Sequence, residues 1–141
     1  MATDAIVVLQ TLQCITLSDS GGRAPYIWPV LLWIDDNTLK TPDLVGMTAG
    51  LCGVVIANGM RAGDTTDIPY PVSTLAVRFE DHLSVRRLIL VVALWEKHDT
   101  PDPAMFAGCG AFSSELRAAV ADNLFALNDN SQRDQANLLS N

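Results

Sequence analysis

Leu88-Ile89-Leu90-Val91-Val92-Ala93-Leu94-Trp95 is an unbroken run of eight apolar residues, and its reading decides the fold. Its length and β-branched content predict a strand rather than a helix, and the lack of polar alternation predicts burial on both faces. The run is therefore expected at the centre of a sheet, with Leu90 and Val92 in the core. Glu96-Lys97-His98-Asp99-Thr100-Pro101-Asp102-Pro103 follows directly. A loop carrying several carboxylates thus leaves one end of the fold. Just upstream, Ser73–Glu80 alternates, with Leu75, Val77 and Phe79 on one face. The short link Asp81–Ser84 predicts a hairpin between this strand and the central run.

Earlier in the chain, Ile6–Leu17 reads as a first strand, with room for a bulge, and Ser18–Arg23 as a turn. Pro25–Ile34 is a second apolar strand rich in aromatic residues. Proline cannot donate to a ladder, so Pro29 predicts that this strand lies at an edge, is bulged, or pairs regularly only from Val30 onward. Asp35–Thr38 closes it with a polar turn. Between 43 and 63, five glycines weaken helix and strand alike, and a short strand over Leu51–Ala57 is the reading there. Prolines at 69 and 71 predict an extended or edge path through the next turn region.

After the acidic loop the apolar period changes from strand to helix. Asp102 and Pro103 form an N-cap and N1 pair, and Met105, Cys109, Phe112, Leu116, Val120, Leu124 and Leu127 recur at three- and four-residue steps. This predicts an amphipathic helix over about 103–127. Gly108 and Gly110 each cost about 1 kcal/mol relative to alanine, which leaves open a firm start only at Ser113. Asn128-Asp129-Asn130-Ser131 is expected to break or fray the helix, leaving a polar tail over 128–141.

The chain of 141 residues fits one domain. Its net charge of −7, without a basic patch, argues against nucleic acid, whose binding draws on Lys and Arg. No apolar run approaches the roughly 18–20 residues of a membrane span, and the start lacks the basic and apolar regions of a secretion signal, so a cytoplasmic location is expected. Cys14, Cys52 and Cys109 form no C-x-x-C pair and read as small buried apolar residues. No nucleophile elbow, H-E-x-x-H helix, phosphate loop or dinucleotide fingerprint occurs, and no enzymatic activity is expected.

Two stretches resemble the C2 domain, a β-sandwich module that often binds calcium and lipid. In Ile15–Leu31 a strand, a Ser-Asp-Ser-Gly-Gly turn and Pro25-Tyr26 entering an apolar strand are similar to that family's first loop. In Leu88–Gly108 an apolar strand, then Glu96, Asp99 and Asp102, then Phe106-Ala107-Gly108, are similar to its third. The chain departs from the family where Ala24, beside Arg23, replaces the aspartate before Pro-Tyr, where Glu96 and His98 interrupt the aspartate alternation, and where a helix follows the third loop. The resemblance implies a mainly β, C2-like antiparallel sandwich with a C-terminal amphipathic helix. Asp19, Glu96, Asp99 and Asp102 are the candidate calcium ligands, since calcium takes six to eight oxygens; as turn and cap residues they need no metal. No other cofactor is expected, and membrane contact is expected only with calcium. Tyr26, Trp28, Trp33, Leu116 and Leu124 are candidate contact residues for a homo-oligomer or another protein partner, because Trp and Tyr tolerate half-covered positions. A structural or interaction module that self-assembles, as oligomer or filament, is the expected function, with a calcium-dependent binding module as the alternative.

Overall fold

The structure, a computed structural model, describes residues 2–16, 23–52, 54–79, 85–96 and 100–139; within these, the side chains at 86 and 125–139 are not described. The central strand is β3, Pro25–Asp35, in which every residue except Trp33 is buried. Strands β1, Thr3–Val8, and β2, Thr11–Gln13, precede it. β4, Gly46–Ala49, and β7, Val85–Glu96, flank it in an antiparallel three-stranded sheet ordered β4-β3-β7. The run Leu88–Trp95 therefore occupies an outer strand, which corrects the expectation of a doubly buried centre. It pairs with β3 from Trp33↔Leu88 to Tyr26↔Trp95 and, among the described residues, has no strand on its other edge.

The proline in the middle of β3 is accommodated by where β4 stops. The Gly50 N–H donates to the Pro29 carbonyl at 3.0 Å, so residue 29 directs its backbone polar positions toward the β4 side, one step beyond Ala49. The missing donor falls where no ladder bond is due, and β4 pairs only over Val30–Trp33. Pairing with β7 continues through Pro29↔Val92. After β3, the Asp35 carboxylate accepts from the Thr38 N–H at 2.8 Å while Thr38 Oγ1 accepts from the Asp35 N–H at 3.3 Å. This reciprocal cap turns the chain into the short helix α1, Asp36–Lys40.

Two further strand pairs build on the second face of β3. β1 pairs with β6, Thr74–Phe79, and β2 pairs with β5, Thr65–Asp67, both antiparallel. The expected single strand over 6–17 is thus two strands parted at Leu9–Gln10, and among the described residues β6 pairs with β1 and β7 with β3, not with each other as the expected hairpin would have it. Ile27 packs with Ile56, Ile68 and Val72 on this face, backed by Leu9, Leu12 and Val54, and Val72 comes from the one-turn helix α2, Tyr70–Ser73. In place of the expected strand over 51–57, the described residues of that stretch are irregular chain with one isolated bridge, Tyr26↔Val55. Arg78 grips Asp4 across β1 and β6 at 2.7 and 3.0 Å and holds its carboxyl below the usual carboxylate range. A depressed carboxyl stabilises the fold above its unfolded value and loses that contribution as pH falls; on this exposed pair the contribution is small.

The helix α3 runs from Asp102 to Leu139, passing through the residues expected to break it and replacing the expected polar tail. It lies on the first face of the sheet. Ala121 and Leu124 pack with Val30, Leu32 and Ile34, while Met105 and Cys109 pack with Tyr26 and Trp28. Phe112, Leu116 and Val120 complete the stripe as partly buried neighbours, so the three- and four-residue spacing did mark the inward side through Leu124; Leu127 has no described side chain. Gly108 has a local reason. A Cβ there would stand 3.2 Å from the Trp28 ring, so a bare position lets the helix cross close to it.

Candidate functional site

Alternation along β7 sends Ile89, Val91 and Ala93 toward the helix side, where they pack against the core. The intervening residues Leu88, Leu90, Val92 and Leu94 point to the second face and are 47, 41, 44 and 60 % exposed. Of their partners on β3 in that row, Ile27, Pro29 and Leu31 are buried and Trp33 is half-buried, so the second layer covers β3 and stops short of β7. Three open hollows follow the row in order. One of about 370 Å³ lies between Leu88 and Thr3–Ala5, one of about 420 Å³ between Val92 and Val8–Leu12, and one of about 440 Å³ between Leu94 and Leu12–Thr16. The β1–β2 segment therefore runs beside β7 across a gap, and Ile6 and Val8 on it, with Ile15 just beyond β2, are exposed as well.

Apolar surface of this kind on an unpaired edge is uncommon for a strand that works alone. Edge strands are ordinarily blunted by proline, by short length or by inward-pointing charge. β7 has twelve residues, none of them proline, and the stretch from Leu88 to Trp95 carries no charge. Covering each half-exposed leucine or valine would contribute about 1 kcal/mol at 25 cal/mol per Å². Sequence reasoning missed the site because a run apolar on both faces looks the same whether the second face is covered by its own chain or by another.

At the end of β7 the acidic residues divide. Glu96 Oε1 accepts from Arg23 Nη1 at 2.8 Å, and Asp102 Oδ1 accepts from the Tyr26 hydroxyl at 2.9 Å. Asp19 and Asp99 lie outside the described residues. Asp102 is the first residue of α3, and the backbone N–H groups of Ala104 and Met105 both donate to the Pro101 carbonyl. Pro101 thus caps the helix one position earlier than the expected Asp102.

The aromatic and leucine candidates for contact are placed inward. Tyr26, Trp28 and Leu124 are buried and Leu116 is partly buried under α3, so they hold the helix to the sheet. Trp28 stacks at 4.9 Å between ring centroids on Trp95 and at 6.0 Å on Phe112; its Nε1 has no hydrogen-bond partner among the described residues. Trp33 is half-buried, edge-on to Phe79 at 5.8 Å. Cys52 and Cys109 form a disulfide, with Cα atoms 5.9 Å apart, that ties the chain after β4 to the second turn of α3; Cys14 is free and half-buried. This corrects the reading of all three cysteines as plain apolar residues. No helix among the described residues is long and apolar enough to cross a membrane. Comparison with known proteins finds no matching family model, no similar curated protein and no similar solved structure.

Proposed function

We propose that this chain is a non-enzymatic structural or interaction module that assembles with copies of itself, and that the outer row of β7 is its contact surface. The observation that carries the reading is the proline-free edge strand whose stretch from Leu88 to Trp95 carries no charge and whose Leu88, Leu90, Val92 and Leu94 stand half exposed beside a gap. The absence of recognisable catalytic motifs and the net charge of −7 support a protein partner over a substrate or a nucleic acid.

A second reading, a C2-like sandwich that binds calcium and through it a lipid or other ligand, has one observation in its favour. The Arg23–Glu96 ion pair brings the described residue after 17–22 to the described residue before 97–99, at one end of β7. Arg23 also neutralises part of the charge a cation would need. As for location, the Cys52–Cys109 crosslink fits an oxidising compartment better than the cytoplasm.

Measuring mass in solution separates the two readings. At tens of micromolar the assembly reading expects a multiple of 15.2 kDa that several millimolar calcium leaves unchanged, with no calcium-dependent rise in melting temperature. A monomer at every concentration whose melting temperature climbs with calcium would replace self-assembly with the cation-binding reading.

A further inference from the structure

We infer that two copies of the chain join through their β7 strands, antiparallel and in one register, to make a continuous six-stranded sheet; this rests on the assembly reading above and names its partner as a second copy. The choice of a second copy follows from the strand itself. β7 begins Val85-Arg86-Arg87 and ends Trp95-Glu96, so it is basic at its start and at its end carries a carboxylate that is ion-paired with Arg23 yet still partly exposed. Parallel pairing would set like charge against like, whereas antiparallel pairing sets the basic start of one copy against the acidic end of the other.

A two-fold axis perpendicular to the sheet keeps each face on its own side, so residues opposite one another must be of the same parity along the strand. The register that sets Val91 against its own copy meets this condition and uses the strand almost fully. It places Leu88 opposite Leu94 and Leu90 opposite Val92 on the open face. On the helix side it places Ile89 opposite Ala93, and Arg87 opposite the ring of Trp95, a cation–aromatic pairing. Every half-exposed apolar side chain of the row then has an apolar partner on the other copy. A pairing of this length forms about ten backbone hydrogen bonds, the number found in an ordinary stable interface. β7 keeps straight pairing with β3 from Glu96 to Arg87, its one irregularity falling beyond Arg87, so the outer edge is regular where the second copy would lie.

The register is tested by charge exchange across the axis. Leu90→Lys and Val92→Glu each put one charge into an apolar pair that occurs twice in the dimer, so each variant alone should weaken association by about ten-fold or more and run as a folded monomer. Because position 90 faces position 92 of the other copy, mixing the two variants in equal amounts should restore the dimer mass. Leu88→Lys mixed with Leu94→Glu gives an independent reading at the outer pair. Far-ultraviolet melting of each variant checks that it is folded. If the wild type associates but the single variants associate equally well, self-assembly stands and β7 pairing falls. If the variants dissociate but neither mixture recovers, the register is wrong. A wild type that is monomeric to hundreds of micromolar removes both the pairing and the self-assembly reading.

Discussion

Leu32→Asp should leave no folded protein, while Leu90→Lys, one strand away, should leave a cooperatively melting one. Leu32 is fully buried in β3, with α3 above it and β4 and β7 on either side, and contacts the cluster that includes Ala121 and Leu124. An unpaired carboxylate at that position costs several kcal/mol against a total stability of about 5–15 kcal/mol. Leu90 is 41 % exposed on the outer strand, and a lysine there carries its ammonium to water on a flexible stem. Circular dichroism and thermal melting in dilute solution read both outcomes. Wild-type melting of Leu32→Asp would remove β3 from the centre, and an unfolded Leu90→Lys would return the 88–95 run to the core.

Loss of the Cys52–Cys109 crosslink should be the next largest effect. The two cysteines are separated by 57 positions, and closing a loop of that size removes enough freedom from the unfolded chain to stabilise the fold by about 4 kcal/mol. Cys52→Ala and Cys109→Ala should each lower the melting temperature by many degrees, and the wild type in excess reductant should melt with them. Equal melting of the wild type with and without reductant would mean that the two cysteines act only as small apolar residues.

The sequence carried the secondary structure further than the tertiary arrangement. The alternation of Leu75, Val77 and Phe79 marked the inward side of β6, and the spacing from Met105 to Leu124 marked the inward side of α3, because each pattern is set by the element's own geometry. The centre of the sheet was misread because two apolar runs competed for it and Pro29 demoted the right one. Whether a proline is tolerated depends on where the neighbouring strand ends, and Gly46–Ala49 gave no sign of being that strand. The pairing of β6 with β1 and the meeting of Cys52 with Cys109 join positions far apart in the chain, which local pattern does not encode. The helix continued past Asn128-Asp129-Asn130-Ser131 although these residues favour caps and turns; neighbouring turns on both sides supply good helix formers such as Leu124, Ala126, Gln132 and Ala136. Of the candidate calcium ligands, Glu96 is bonded to Arg23 and Asp102 to Tyr26, and Asp19 and Asp99 lie outside the described residues. The apolar edge went unseen because burial by one's own chain and burial by a partner leave the same composition.

Amide hydrogen exchange compared between β3 and β7 tests most directly whether the outer edge of β7 is the assembly surface. At high concentration both strands should be protected. On dilution, or in Leu90→Lys, alternate amides of β7 should exchange much faster while β3 keeps its protection, because only the outward-facing N–H groups of β7 lose a partner. Uniform protection of β7 at every concentration and in the variant would contradict a free edge and show that the strand is covered within its own chain.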